Sequence, residues 1–252
     1  FLTDSGKFLY SKAEVVLASI EETEEGLKQF SGNTRGTIKV GMLSSVARNV
    51  LPITMKIFSK KLPNIEINVL EVSPAEAIDL LYARQLNVAV VAADSIAASN
   101  VSFSSVDIFS DPYVLAVPKK INIDNADSFK DLKDSDKEVM SSMILFEFGS
   151  LYKKRIDNWL KNTLLDLKTI AHTRSYEVAL SMVEAGLGVV VLPALTSVVG
   201  LNRSYDVNLY KTNLLNRRLV ALTPNQFSKT EPSKSFVFSL QEAGKHLKLP
   251  EI

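Results

Sequence analysis

The sequence predicts an α/β fold with a parallel sheet, preceded by one long helix. Three observations lead to this prediction. Apolar residues recur at heptad spacing through the first thirty residues, a segment without proline. From Thr37 onward, short segments in which apolar residues alternate or run together, as in strands, are separated by helical segments. This strand–helix–strand order is typical of parallel strands joined by right-handed crossovers.

The composition excludes several classes of site. The 252 residues suffice for one large domain or two small ones, and 46% hydrophobic with 23% charged residues is ordinary for a globular protein. The absence of cysteine excludes disulfides, cysteine nucleophiles and cysteine-bound metals, and two histidines are too few for a histidine-rich metal site. We therefore expect no metal and no cofactor. A net charge of +1 offers no cationic excess for holding nucleic acid.

The first predicted element is a linker or dimerisation helix over residues 1–31, which Thr3 can cap. Six acidic residues against three lysines make it a poor binder of DNA phosphates. Its apolar seam is narrow, so we expect it to pair with a partner helix. The alternative is a helix that lies on its own domain. The predicted seam residues are Leu9, Ala13, Val16, Ile20, Thr23, Leu27 and Phe30.

The body of the chain begins with three predicted strands, at residues 37–43, 65–72 and 88–91, separated by helices to about Lys60 and over 74–85. Pro52 either kinks the first of these helices or marks its start, with Asn49 as the cap.

Serine residues follow two of these three strands, and this makes their ends a candidate site. Ligands of open α/β sheets bind outside the carboxyl ends of parallel strands, where helix N-termini also offer free N–H groups. The alternative is that the serines are only helix caps. The residues at the three ends are Ser44 and Ser45, Ser73 and Pro74, and Ala92.

The second half repeats this pattern. Ser175 suits the N-cap of a helix that ends before Gly186. The predicted strands are 113–117, 143–146, 169–171, 188–192, 207–210 and 218–222, and the predicted helices are 128–133, 150–162, 175–185 and 232–247.

Motifs for catalysis are missing from the sequence. Gly186-x-Gly188 lacks the third glycine of a dinucleotide loop and follows a helix instead of a strand. No phosphate loop, nucleophile elbow or HExxH motif occurs. We therefore predict a binding protein and not an enzyme.

The sequence has no apolar stretch long enough to span a membrane and no signal-peptide pattern at its start, so the expected location is the cytoplasm, with no membrane partner.

Three segments carry a family resemblance. They are L-T-x-x-G-x-x-L-Y-x-x-A at residues 2–13, G-x-I-K-V-G at 36–41, and V-x-A-G-L-G-V-x-x-L-P at 183–193. In their order and spacing they resemble the LysR-type transcriptional regulators, over essentially the whole chain. The first resembles the linker helix of that family, and the others resemble its effector domain.

The resemblance implies a two-lobed, periplasmic-binding-protein-like (type 2) effector domain after the long helix. Lobe I would comprise residues 35–107 and 207–252, and lobe II residues 108–206. A small effector would bind between the lobes. Its lining, matched motif by motif, would be Ser44, Ser45, Ser73, Pro74, Ala92, Phe148, Gly149, Thr173, Arg174 and Tyr176.

The resemblance also implies partners. The chain would form homodimers and homotetramers, and it would reach DNA only through a domain that precedes Phe1. Effector binding would alter the oligomer geometry and thereby transcription. Ala92 stands where members that bind carboxylates carry arginine, so a carboxylate effector would need Arg174, Arg48 or helix N–H groups. A solute-binding protein of a transport system, with the same fold, is the alternative function.

Overall fold

A computed structural model describes residues 2–29, 36–95, 103–123, 132–146, 156, 158–159, 167–200, 204–250 and 252. The chain divides into two compact units. Unit 1 consists of Phe1–Phe109 and Leu219–Leu247, and unit 2 of Ser110–Arg218 and Lys248–Ile252. Within the described ranges, no helix is both long and apolar enough to cross a membrane.

The described residues form strands and helices in the alternating order that the sequence predicts. The strands are β1 (Gly36–Met42), β2 (Ile65–Glu71), β3 (Val88–Ala92), β4 (Phe103–Asp111), β5 (Tyr113–Pro118), β6 (Ser142–Phe146), β7 (Lys168–Thr173), β8 (Val190–Pro193), β9 (Val207–Lys211) and β10 (Arg217–Pro224). The helices are α1 (Asp4–Gln29), α2 (Ser44–Asn49), α3 (Leu51–Lys61), α4 (Pro74–Tyr82), α5 (Asp134–Ser141), α6 (Tyr176–Glu184) and α7 (Ser233–Lys245).

Helix α1 exposes its heptad seam. The backbone N–H of Gly6 donates to Thr3 Oγ1 at 3.1 Å, which confirms Thr3 as the cap. Leu9, Val16 and Ile20 are 68%, 57% and 52% exposed, and Ala13 and Thr23 are exposed as well.

One hydrogen bond ties α1 to the body of unit 1, from Arg84 Nη1 to Ser19 Oγ at 3.3 Å. Helix α1 therefore contacts its own unit at Ser19 but leaves its described seam residues exposed. The side chain of Leu27 and the whole of Phe30 lie outside the described residues.

Unit 1 is built on one five-stranded sheet in the order β2-β1-β3-β10-β4. Strand β1 is parallel to both β2 and β3, and β10 runs antiparallel to β3. Helices α3 and α7 pack together through Phe58 and Phe236, whose rings meet edge to face with centroids 5.4 Å apart. Helix α7 also approaches β4 closely, because a Cβ at Gly244 would lie 2.6 Å from the carbonyl oxygen of Ile108.

The start of α3 settles the two alternatives around Pro52. Helix α2 ends at Asn49, and α3 begins at Leu51 with Pro52 in its first turn, where proline is tolerated. The expected cap was wrong: Val50 occupies that position without a side-chain hydrogen bond, and Asn49 Nδ2 instead donates to the carbonyl of Ser45.

Unit 2 contains two small sheets, β8-β5-β9 and the parallel pair β6-β7. Its interior includes Trp159, Met143 and Leu115, all at least 95% buried. Strand β9 pairs with β5 from Val207 to Lys211, so this segment belongs to unit 2. The predicted boundary, which assigned residues from Val207 onward to lobe I, therefore differs from the structure.

Two other predictions differ from the structure. Strand β4 was not predicted, and α5 begins only at Asp134, whereas the sequence predicted a helix over 128–133. Residues 132 and 133 precede α5 without helical structure, and 128–131 lie outside the described residues. Of the helix predicted over 150–162, only residues 156 and 158–159 are described, and these are helical.

Candidate functional site

The first candidate surface is the sheet edge of unit 1 where three parallel strands end together. Met42 of β1 pairs with Glu71 of β2 and with Val90 of β3. Ser44 and Ser73 therefore follow strands that are direct neighbours. The structure brings these residues to one edge, as the sequence predicts for parallel strands.

Ser44 is an exposed residue of this edge with a defined partner. It is the first residue of α2, and its hydroxyl donates a hydrogen bond to Glu71 Oε2. The N-cap of α2 is Leu43, so Ser44 does not cap the helix. A hydroxyl and a carboxylate thus stand side by side at the ends of β1 and β2.

Two predicted site residues of this edge are buried. Ser45 is only 4% exposed and Ala92 only 5%. Ser45 lies on the buried side of α2, and Ala92 ends strand β3, which is enclosed by β1 and β10. Neither offers a ligand more than a small surface within unit 1.

Ser73 caps helix α4. The backbone N–H of Glu76 donates to Ser73 Oγ at 3.3 Å, and the N–H of Ser73 donates to Glu76 Oε2 at 3.5 Å, which together form a capping box. Pro74 occupies the first turn of the helix. For Ser73, the capping role that the sequence left open is therefore realised. It fixes the path of the chain after β2.

The second candidate surface is the corresponding strand end of unit 2. Phe146 and Thr173 pair at the ends of the parallel strands β6 and β7. Thr173 Oγ1 accepts from the N–H of Ser175 at 3.1 Å, and Ser175 Oγ accepts from the N–H of Val178 at 3.3 Å, as expected for the cap of α6. Arg174 lies exposed between them. Phe148 and Gly149 lie outside the described residues.

Tyr176 stacks on Phe146 at this edge. The two ring centroids are 3.6 Å apart and the ring planes differ by 9°. Tyr176 is half-buried and packs against the apolar cluster that contains Ala179 and Leu180. Its ring position is therefore fixed by packing on both sides.

Unit 2 also contains a buried ion pair that no sequence pattern indicated, and its arginine interacts electrostatically with Tyr176. Arg217 Nη2 donates to Asp111 Oδ2, and the N–H of Leu195 donates to Asp111 Oδ1 at 3.0 Å. Burial raises the pKa of Asp111, against the lowering effect of Arg217. Burial acts to lower the pKa of Arg217, but the Asp111 carboxylate, Tyr176 and Tyr113 together outweigh burial, so the pKa of Arg217 is raised.

Both edges present side chains that donate or accept hydrogen bonds. Unit 1 offers the hydroxyl of Ser44 and the carboxylate of Glu71, and unit 2 offers the hydroxyl of Thr173 and the guanidinium of Arg174. The described residues contain no group of three or more histidine, cysteine or acidic side chains able to hold a metal ion. The edges suit recognition of a small polar molecule.

Comparison with known proteins identifies the family. A family model described as "LysR substrate binding domain" matches residues 31–244. The curated relatives include the uncharacterized HTH-type transcriptional regulator YbhD of Escherichia coli K12, which is 24% identical over 233 residues. That alignment covers 88% of this chain and 70% of YbhD. The matched relatives are transcriptional regulators, which sets aside the alternative of a transport protein.

Solved structures show the same fold. The LysR family regulator CbnR superposes with a TM-score of 0.66 at 15% identity, over 96% of this chain and 82% of CbnR. The effector-binding domain of QuiR, solved in complex with shikimate, superposes with a TM-score of 0.63 at 16% identity, over 84% of this chain and 98% of that domain. The predicted fold class, a periplasmic-binding-protein-like effector domain, is confirmed.

Proposed function

Because the chain belongs to the LysR family of transcriptional regulators, we propose that its strand-end edges bind a small polar effector and that this binding changes the oligomer and thereby transcription. The observation that carries the proposal is the edge of unit 1. Three parallel strands end together there and place the hydroxyl of Ser44 next to the carboxylate of Glu71. Ligands of open α/β sheets bind at such edges.

The residues proposed for effector binding are those at the strand ends and those that the resemblance implies. They are Ser44, Ser45, Ser73, Pro74, Ala92, Phe148, Gly149, Thr173, Arg174 and Tyr176. Arg174 is an exposed cation at the described edges, and in this proposal it binds an acidic group of the effector. QuiR was solved with shikimate, a hydroxylated carboxylate, which is compatible with this donor set.

Helix α1 supplies the dimer contact. Its seam exposes Leu9, Val16 and Ile20, each more than half exposed, and a second copy of the same helix would cover them. We propose a homodimer through α1 and a homotetramer through further contacts between copies. Effector binding acts on this assembly only if the effector binds its two arrangements with different affinity.

DNA binding resides outside the chain in this proposal. The chain spans 70% of YbhD, which is an HTH-type regulator, and CbnR has been solved in complex with its target DNA. We propose a DNA-binding domain before Phe1 and action in the cytoplasm, where such regulators meet DNA.

The test is a thermal-shift screen of small hydroxylated acids, amines and sugars, with shikimate as the first probe. Any molecule that raises the melting temperature is then titrated against S44A and R174A. Ser59 and Lys60 are exposed in the last turn of α3, which precedes the start of β2 and not its carboxyl end, so S59A and K60A are the matched controls. The proposal predicts that the shift is lost in S44A and R174A and kept in both controls.

Two results contradict the proposal. One is a ligand whose shift survives in S44A and R174A alike. The other is an X-ray scattering profile of the oligomer that stays unchanged at saturating effector, since a regulator of this kind must change its assembly.

A further inference from the structure

Unit 2 carries an open groove of about 610 Å³ along strand β9 and the C-terminal tail. The volume falls within the range of small-molecule sites, about 300–1,000 Å³. None of Phe146, Thr173 and Arg174 lines it, so the groove is separate from the strand-end edge of the same unit. One of its walls is the tail Lys248–Pro250, which belongs to unit 2 although α7 before it belongs to unit 1.

The polar wall of the groove is held in place before any ligand binds. Asn208 Nδ2 donates to the carbonyl of Lys119 at 3.1 Å and to the carbonyl of Ile121 at 2.9 Å. Tyr210 Oη accepts from the N–H of Ile123 at 3.0 Å. These bonds fix β9 to the segment after β5, so a ligand would meet a preorganised surface and would lose less affinity to ordering it.

The charged side chains that line the groove are positive. Lys119 and Lys248 are both exposed and both line the groove, and none of the described lining residues is acidic. Apolar surface comes from Val198, Leu249 and Pro250. A groove with two ammonium groups, amide and phenol groups and an apolar part fits an organic anion and disfavours a cation.

We propose that this groove binds a small organic anion at a second site of the chain. Its carboxylate or phosphate is held by Lys119 and Lys248, and its carbon skeleton lies against Leu249 and Pro250. The ligand then contacts the tail directly after the point at which the chain leaves unit 1. The proposal does not depend on the effector site of the strand ends.

The experiment is calorimetric titration of the full chain with two probes, inorganic phosphate and salicylate. The variant is K119Q/K248Q, and the matched control is K120Q, since Lys120 is an exposed neighbour that does not line the groove. We expect salicylate to bind more tightly than phosphate because it also covers apolar surface. K119Q/K248Q should weaken salicylate binding about tenfold, equal to about 1.4 kcal/mol, and K120Q should leave it unchanged.

Backbone and side-chain amide shifts in NMR spectra locate the bound salicylate. The proposal requires shifts at Asn208 and Tyr210, and binding that S44A leaves intact. It is overturned if neither probe binds at about 10 mM, well above the about 1 mM typical of weak sites, or if K119Q/K248Q binds salicylate as the wild type does. If phosphate and salicylate bind equally well, the carbon skeleton contributes nothing to binding. That result would overturn the proposal that the ligand is an organic anion.

Discussion

Arg217 Nη2 lies 2.6 Å from Asp111 Oδ2, in an ion pair whose side chains are only 6% and 0% exposed. Asp111 is the last residue of β4 and Arg217 the first of β10. These are two strands through which the chain passes between the units. The pair therefore fixes two crossover strands to each other inside unit 2, and Arg217 also interacts electrostatically with Tyr176.

Breaking this pair should strongly destabilise the chain. D111L or R217M leaves the other group buried without its partner, which costs about 3–5 kcal/mol. The double variant D111L/R217M removes both charges and should lose less than the sum of the two single variants. Unfolding in urea, followed by circular dichroism, measures the three differences. R218M, an exposed neighbour, is the control and should change stability by less than about 0.5 kcal/mol.

Additive losses in that cycle would show that Asp111 and Arg217 do not stabilise each other.

The exposed seam of α1 should drive self-association. V16D/I20D places charges on a surface that a partner helix would bury, so the variant should dissociate to a smaller species in sedimentation velocity at concentrations where the wild type is dimeric or larger. Its melting temperature at low concentration should hardly change, because Val16 and Ile20 are 57% and 52% exposed within one chain. E14A, an exposed position off the seam, is the control. Identical sedimentation of the double variant and the wild type would rule out the dimer helix.

The capping box of α4 should contribute to stability independently of any effector. S73A removes the acceptor of the Glu76 N–H and should cost about 1 kcal/mol. S59A, at an exposed serine inside α3, is the control and should be nearly neutral. Urea unfolding compares them. A neutral S73A would contradict a stabilising role of this capping box.

Gly188 should tolerate no side chain. A Cβ there would lie 2.3 Å from the carbonyl oxygen of Ser142, a backbone atom that cannot move aside. G188A should therefore destabilise the chain by about 2 kcal/mol or more. Gly36 is the control, because a Cβ there has its nearest neighbour at 3.8 Å. Equal melting temperatures for G188A and G36A would contradict the close approach of this segment to β6.

The sequence predicted the elements that are set by local pattern. The parallel strands β1 to β3 have strong apolar alternation or runs, and the caps Thr3 and Ser175 carry their own signal. Strand β4 was missed because its serines and aspartates give no clear period, and its place next to β10 decides its conformation. The burial of Ser45 and Ala92 also depends on neighbouring strands and helices.

Long-range pairs could not be predicted. Asp111 and Arg217 are 106 positions apart, and neither residue type at its position suggests a buried pair. The groove along β9 depends on the tail meeting a strand about forty positions earlier in the sequence, which no local pattern records.

The most direct test of the central claim is to read the coding sequence upstream of Phe1. The account predicts a winged helix-turn-helix domain there, joined directly to α1, which would establish a DNA-binding regulator that senses its effector through this chain. A secretory signal peptide, or a start codon immediately before Phe1, would contradict the claim that the chain regulates transcription.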